Sequence, residues 1–379
     1  MMAERLFLYG TLRDPDLLAV VLGRDSAPDL VPARLHGHEP RSVVPGDYPV
    51  VLPCKGGATA GVLVTGLGSD EIARLKFYEG EGDHYRLVPV EVECQGARLA
   101  AHMFAPVTGW FETGDVWHLE TWKKGPRMLA LEAAREIMSE YGARSSRDVA
   151  ERHGLMRIRA QSRLNARRDP PRPRIATGAG AAITRAHRRP YAKFFNVEEF
   201  DLDLPAFGGG RYRPRERAAL VTADSVTVLP YDPRRDRVLL VEQFRVGPHA
   251  RGDTHPWTLE PIAGRCEPDE DHATTLRREA LEEAGLELAG GLERISAFYP
   301  SPGALSEFIT AYLAPADLPD GIAGVHGLAE EGEDIRTHLL SFETLMAALD
   351  RGELRTAPLV VSAHWLARNR DRLRGAAGA

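Results

Sequence analysis

The hydrophobic pattern of this chain changes rhythm several times, and each change predicts an element. A short apolar run, Leu6-Phe-Leu-Tyr9, meets Gly10 and is followed by a helical stretch from Asp16 to Leu22, which predicts strand, glycine turn and helix. From Glu120 to Tyr141, residues Trp122, Leu129, Ala133, Ile137 and Tyr141 fall on or near one stripe. That predicts an amphipathic helix interrupted near Gly125-Pro126. Phe200, Leu202 and Leu204 alternate with polar residues, a strand signal within Phe194 to Leu204. Thr275 to Ala284 contains no Gly or Pro and is rich in Leu, Ala, Glu and Arg, so a helix is predicted there. No apolar run approaches the roughly 18 residues of a membrane span.

At 379 residues the chain is long for one domain and comfortable for two, and 43% hydrophobic content is ample for two packed cores. Between them, from Arg152 to Arg189, the chain turns basic and contains Asp169-Pro-Pro-Arg-Pro-Arg174 and the small-residue run Thr177 to Ala182. This predicts an exposed, partly disordered linker. The arginine excess is local, because the whole chain carries a net charge of −6. Without interleaved aromatics or a nucleic-acid-binding fold, no specific nucleic-acid partner is expected. Cys54, Cys94 and Cys266 show no C-x-x-C or metal-ligand spacing, and with no signal-peptide pattern in the first ten residues they predict a reducing cytoplasm. His and Cys form no zinc pattern, and no G-x-G-x-x-G follows a strand.

One segment carries far more chemistry than the rest. Gly264, Glu270, Arg278, Glu279, Glu282, Glu283 and Gly285 fit the pattern G-x5-E-x7-R-E-U-x-E-E-x-G-U at every fixed position, with U small or aliphatic. Chance would produce seven such matches on the order of 10⁻⁶ to 10⁻⁵ times per chain of this length. On a helix, Glu279 and Glu283 lie one turn apart and Glu282 three residues from Glu279, so all three carboxylates project over one edge. A loose cluster of carboxylate oxygens suits Mg²⁺ or Mn²⁺, which also bind phosphate oxygens. Gly285 reads as the helix C-cap and Gly264 as the residue permitting a tight loop before the helix. The loop acids Glu267, Asp269 and Asp271 read as a solvated face. Cys266 lies in the same loop, where oxidation would perturb metal binding; a neutral loop residue is the plainer reading.

The pattern resembles the box of the Nudix hydrolases, metal-dependent enzymes that cleave pyrophosphates. That resemblance implies that the backbone carbonyl of Ala263 joins Glu279 and Glu283 as a metal ligand, and that Arg278 orients the box glutamates. Further stretches, Val238 to Arg245, Pro256 to Ala263, Tyr299 to Glu307 and His326 to Ile335, resemble the bacterial ADP-ribose pyrophosphatase branch, with Pro302 standing 16 positions beyond Leu286. The resemblance implies ADP-ribose as substrate, AMP and ribose 5-phosphate as products, Glu331 as catalytic base with Glu330 as rival, Glu282 as a catalytic residue of the box, and Glu333 as a further metal ligand. Arg245 would contact a phosphate, or else make a structural ion pair with Glu242 or a neighbour. Trp257 would stack on adenine or serve an apolar contact, and Ser306 and Glu307 would touch substrate or cap a loop. Members of this branch dimerise by exchanging N-terminal strands. Phe194 to Leu204, Gly208 to Arg213 and Ala218 to Val228 would supply them here, with Arg211 or Arg213 reaching the partner's substrate.

The N-terminal part is similar to a second family. Tyr9-Gly10-Thr11-Leu12, Leu75 to Gly80 and Tyr85-Arg86 resemble the γ-glutamylcyclotransferase-like proteins. The resemblance implies a small β-barrel, an anion-holding loop at Tyr9 to Leu12, and Glu79 as the base that moves a proton while a γ-glutamyl amine closes to 5-oxoproline. An Asp usual three residues before that glutamate is Lys76 here, which puts turnover in doubt but not the fold. The same order of modules resembles bacterial proteins linked to tellurite resistance.

The expected architecture is α+β in two domains: residues 1–118 a γ-glutamylcyclotransferase-like β-barrel, 119–190 a helical and basic connector, and 191–379 an α/β/α Nudix sandwich. The expected activity is Mg²⁺-dependent hydrolysis of ADP-ribose by a homodimer. The alternatives are another nucleoside diphosphate sugar as substrate, or an ADP-ribose-binding regulatory protein without turnover.

Overall fold

The computed structural model describes residues 5–378 except 45, 47, 108, 169–177, 179, 269 and 329–331, and omits the side chains of 213 and 214. The chain forms two compact units, Met1–Arg172 and Pro173–Ala379. Among the described residues, no helix is long and apolar enough to cross a membrane.

The N-terminal unit runs β1 (Arg5–Leu8), α1 (Pro15–Leu22), β2 (Val31–Val44), β3 (Pro49–Thr65), α2 (Ser69–Glu79), β4 (Tyr85–Cys94), β5 (Ala97–Pro106), β6 (Glu112–Val116), α3 (Leu119–Lys124), α4 (Arg127–Ser139), α5 (Ser146–Ala150) and α6 (His153–Arg168). Strands pair in the order β3-β1-β5-β4-β2, and β2 pairs back onto β3, so five strands close a barrel with β6 added to β2. Closure leaves few unpaired strand edges. Phe7, Leu35, Leu63, Val92 and Met103 fill one core, while Leu6, Leu8, Val50 and Val64 face α1 and α4 in another. The alternation of Leu6, Phe7 and Leu8 between two cores is the period of two of a strand buried on both sides.

Residues 119–168 are helical and belong to this unit. Trp122, Leu131, Ala134, Ile137, Met138, Val149 and Met156 share a core with Leu17, Leu18 and Leu75. The predicted interruption falls between α3 and α4, where Gly125 and Pro126 sit. Through Arg168, however, the basic stretch is no exposed linker. Arg159 is buried and bonds Glu136 at 2.6 Å, Arg163 bridges Glu132 and Glu136 at 2.9 and 2.8 Å, and Arg167 bonds Glu132 at 2.7 Å. Its cations answer the buried acids of α4, a pairing across 23 to 35 positions that local composition does not reveal. Residues 169–177, including the Pro-rich run, lie outside the described residues.

The C-terminal unit opens with a three-stranded antiparallel sheet of β7 (Ile183–Ala192), β8 (Asn196–Pro205) and β9 (Arg211–Val221). Then follow β10 (Ser225–Asp232), β11 (Arg237–Phe244), α7 (Val246–Arg251), β12 (Trp257–Glu260), β13 (Ile262–Arg265), α8 (His272–Ala284), β14 (Glu293–Phe298), β15 (Ile309–Pro315), β16 (Val325–His326), β17 (Ile335–Ser341), α9 (Phe342–Asp350) and α10 (Ala357–Ala376). The main sheet has the order β14-β15-β10-β11-β17-β16, with β12 on β11 and β13 on β10. Leu239 and Val241 of β11 pack with Leu276, Ala280 and Ala284 of α8, whereas Val238 and Leu240 pack with Leu345, Leu359 and Leu366 of α9 and α10. Alternate residues of one strand therefore face helices on opposite sides, which makes the unit an α/β/α sandwich.

Candidate functional site

Helix α8 carries the box. Asp271 caps its start by accepting from the Thr274 N–H at 2.7 Å, and Gly285 ends it in the left-handed conformation, donating back to Ala280 and Leu281. Gly264 has a different reason from the tight loop expected of it. It lies on β13 opposite Val226, and a Cβ there would overlap the side chain of Glu279. Only glycine lets the carboxylate of α8 lie against the β13 backbone.

The box acids differ in how they are satisfied. Arg278 bonds Glu270 at 3.2 Å, Glu279 at 3.0 Å and Glu282 at 2.9 Å. Glu270 also accepts from the Thr275 hydroxyl at 2.9 Å. Burial would raise it, but the bonds from Arg278 and Thr275 hold it below the ordinary carboxylate range. Glu283 is 3% exposed and accepts from the Ala263 N–H at 3.1 Å and from Gln243 at 3.4 Å. Burial pushes Glu283 up to about 8 and Glu279 up to about 7, and both also feel the charge of Glu333. These are carboxylates short of positive charge.

Among the described residues, no three acidic, His or Cys side chains converge as a ready-made ion site, because Glu279 and Glu282 turn to Arg278 instead. The donor set still fits a divalent cation. Glu279, Glu283 and Glu333 are all oxygen donors, Glu333 raises the affinity of the other two for positive charge, and Ala263 lies beside Glu283. Glu333 is placed by the late loop, which is tied to α8 where the Gly327 N–H donates to the Glu282 carbonyl at 3.1 Å. Glu330 and Glu331, the rivals for the base, lie outside the described residues, as do Asp269 and the side chain of Arg213.

Around the box, several flanking residues have partners. Arg245 makes a bidentate pair with Glu260 at 2.9 and 2.7 Å; Glu242 takes His338 instead, at 2.8 Å. Arg245 nonetheless feels the charges of Glu283 and Glu333, so it stands close to the acids. Trp257 is largely exposed and meets the Phe244 ring edge to face. Pro302 is exposed in the loop that Leu220 holds through Ala304 and Ser306. Ser306 bonds the backbone of Thr222, and Glu307 takes the Ser225 hydroxyl, so both serve the loop. Arg211 bonds the carbonyl of Ala181. Cys266 is buried and its thiol is pushed up to about 12, chiefly by burial, which leaves little reactive thiolate.

The N-terminal unit holds a cavity of about 300 Å³. Tyr9, Gly10, Thr11, Leu12 and Glu79 all line it, together with Tyr78, Tyr85 and Trp122. Tyr9 is buried and donates its hydroxyl to the Phe104 carbonyl at 2.9 Å. Glu79 ends α2 just before the left-handed Gly80, and burial pushes its carboxyl up to about 7. Lys76, standing where the family carries Asp, pairs with Glu81 at 2.8 Å.

Residues 6–124 match the gamma-glutamyl cyclotransferase, AIG2-like family, and residues 221–360 match the NUDIX domain. The ADP-ribose pyrophosphatase of Escherichia coli (strain K12) is 34% identical over 176 residues, covering 46% of this chain and 83% of that protein. That of Haemophilus influenzae is 33% identical over 181 residues, covering 47% and 82%. The chain belongs to the Nudix family. The GDP-mannose pyrophosphatase of Escherichia coli O9:H4 (strain HS) is 28% identical over 173 residues, covering 46% and 88%. The chain is thus a Nudix hydrolase fused to a γ-glutamylcyclotransferase-like barrel.

Sequence reasoning passed over two residues of the Nudix site. Gln243, on β11, reaches Glu283, and Thr275 steadies Glu270; Thr275 lies three positions before Arg278 on α8, a spacing that puts both near one carboxylate.

Two predictions follow from these geometries. Gly264→Ala should displace Glu279 and lower Nudix hydrolysis by about 10²-fold, the scale of a 1 Å misplacement, with an unchanged circular dichroism spectrum. A rate within twofold of the parent would mean that Glu279 does not need its seat. Glu79, raised from its ordinary 4.5 to about 7, holds its proton more tightly folded than unfolded. Folding stability should therefore fall as pH rises from about 4.5 to about 7, on the order of 3 kcal/mol. In Glu79→Gln this fall should vanish, read by hydrogen exchange of the barrel strands in the full chain; parallel pH curves for the two proteins would contradict it.

Proposed function

We propose that the Nudix unit hydrolyses ADP-ribose to AMP and ribose 5-phosphate with Mg²⁺, Mn²⁺ serving as a substitute. The observation that carries this reading is the pair of undercompensated carboxylates Glu279 and Glu283 beside the Ala263 backbone, with the Glu333 charge acting on both. The higher identity to ADP-ribose pyrophosphatases than to a GDP-mannose pyrophosphatase favours the ribose substrate.

Glu279, Glu283, Glu333 and the Ala263 carbonyl would hold the cation. When bound, it neutralises phosphate charge and acidifies water. The other roles belong to the chain itself. Arg278 keeps Glu279 and Glu282 at the acidic edge, and Glu270 fixes Arg278 in turn. Arg245, already oriented by Glu260, offers its guanidinium to a phosphate, for which a planar fork is suited. Glu331, with Glu330 as its neighbour, takes the proton of the attacking water. Water adds across one P–O–P bond, so one phosphate leaves as AMP and the other stays on ribose. Pro302 shapes the loop near the terminal ribose. The N-terminal unit, whose cavity gathers Tyr9 to Leu12 around Glu79, is a cyclotransferase-like site accessory to this activity.

The test is AMP release from ADP-ribose with Mg²⁺, beside other nucleoside diphosphate sugars. ADP-ribose should be the best substrate, and either EDTA or Glu283→Gln should lower its rate by at least about 10³-fold, since several kcal/mol of charge stabilisation would go with the ion. A faster rate on a hexose derivative would replace the substrate. Tight ADP-ribose binding with no AMP release would replace the enzyme by a regulatory binding protein. We further infer a cytoplasmic homodimer through β7, β8 and β9, with Arg213 reaching the partner's site. Light scattering should give twice the 41.7 kDa chain mass; a monomer mass would refute it.

A further inference from the structure

Where the late loop meets the end of α8, glycines make room twice. Gly327 directly follows β16, and its φ of 103° is one that only glycine adopts without strain. A Cβ on it would stand 2.9 Å from the Cβ of Glu333 and 3.1 Å from its carbonyl oxygen, nearer than packed carbons come. The Gly327 N–H donates to the Glu282 carbonyl at 3.1 Å, and the Glu333 N–H donates to the Leu328 carbonyl at 3.1 Å. Gly327 therefore touches the box helix through its N–H and Glu333 through its bare Cα.

His326, the residue before it, pairs with Ile335 of β17 and lays its ring against the helix end. A Cβ on Gly285 would come within 3.0 Å of the ring's Cε1, and one on Gly324 within 3.0 Å of Nε2. Among the described residues the buried Nε2 has no hydrogen-bond partner, so the fit between two glycines holds the ring. Gly285 thus does more than cap α8. An Asn can serve a left-handed cap, but its side chain would take the place of the ring.

Glu333 depends on this packing for its aim. The Leu328 N–H meets its carboxylate at 3.4 Å, beyond the usual range, so the side chain is held loosely. Its charge nevertheless acts on Glu279 and Glu283. Where the carboxylate stands is set by where the backbone of Glu333 is fixed, and that is against Gly327.

We propose that Gly327 and His326 are positioning residues for the Glu333 carboxylate, clasping the late loop to the end of α8 so that Glu333 joins Glu279 and Glu283 in one donor set for the divalent ion. The proposal rests on the reading of Glu333 as a metal ligand and adds what places it. Neither residue touches the ion or the substrate. The device is the one that seats Glu279 against Gly264: a missing side chain lets the backbone of one element approach a ligand of another.

The experiment measures Mn²⁺ binding to the full chain without substrate, by the electron paramagnetic resonance signal of the free ion. It compares the unmutated protein, Gly327→Ala, Glu333→Gln and the double variant, with folding checked by circular dichroism. Gly327→Ala should weaken Mn²⁺ binding about 10- to 100-fold, the range for residues that orient metal ligands. In the Glu333→Gln background the same change should cost less than about twofold, because the group it positions is gone. His326→Ala adds no backbone strain and should show the same dependence on Glu333; it is read in place of Gly327→Ala if that variant does not fold. Equal losses with and without the Glu333 carboxylate would overturn the proposal and leave the metal reading intact. So would full affinity in Gly327→Ala and His326→Ala where Glu333→Gln is weakened. No Mn²⁺ bound by the unmutated chain, or full affinity in Glu333→Gln, would overturn the reading of Glu333 as a ligand and the proposal with it.

Discussion

Carboxylates gathered at one edge of a helix repel each other, and in the Nudix unit the Arg278 guanidinium keeps that edge intact. It reaches Glu270, Glu279 and Glu282 at once, so three acids share one cation. Glu283, one turn on from Glu279, is outside its reach and depends on the Ala263 N–H and Gln243 instead. Removing Arg278 would leave partly buried acids uncompensated, a state that costs more than the pairs contribute. The rest of the site follows from where that helix sits. Gly264 must lack a side chain because Glu279 lies against it, and the late acidic loop is anchored to the helix through Gly327.

The same physics separates two kinds of buried acid in the N-terminal unit. Glu132 and Glu136 of α4 are as buried as Glu283, but each is met by arginines of α6, and Arg159 and Glu136 are enclosed together. These pairs join two helices. Glu79 has no such partner among the described residues and keeps a raised pKa in a cavity. A buried carboxylate left without a cation is costly to the fold, and such groups cluster at functional sites.

That contrast also explains what was legible in the sequence. The box could be read because its residues lie within 22 positions, from Gly264 to Gly285, and helical spacing dictates which of them share an edge. The broken helix at Gly125-Pro126 and the strand ending near Leu204 were legible for the same local reason. The arginines of α6 were not, since their partners lie 23 to 35 positions earlier and an unpaired basic run has the same composition. Arg245 likewise found Glu260, which β12 brings alongside β11, in place of its near neighbour Glu242. The reason for Gly264 was hidden because close approach across elements leaves no mark on local sequence.

Glu79 and Glu283 then answer one problem in two ways. Both are raised by burial, one to about 7 and the other to about 8. Near neutral pH, Glu79 is divided between its two protonation states, which on the cyclotransferase reading suits a group that takes a proton and returns it. Glu283 would hold a proton there unless a cation displaces it. On the proposed reading, metal binding must therefore release a proton, and metal affinity must weaken as pH falls through the range where Glu283 titrates. Burial is thus a common starting point, and on the proposed reading what the pocket admits, a proton in one unit and a divalent ion in the other, decides the chemistry that follows.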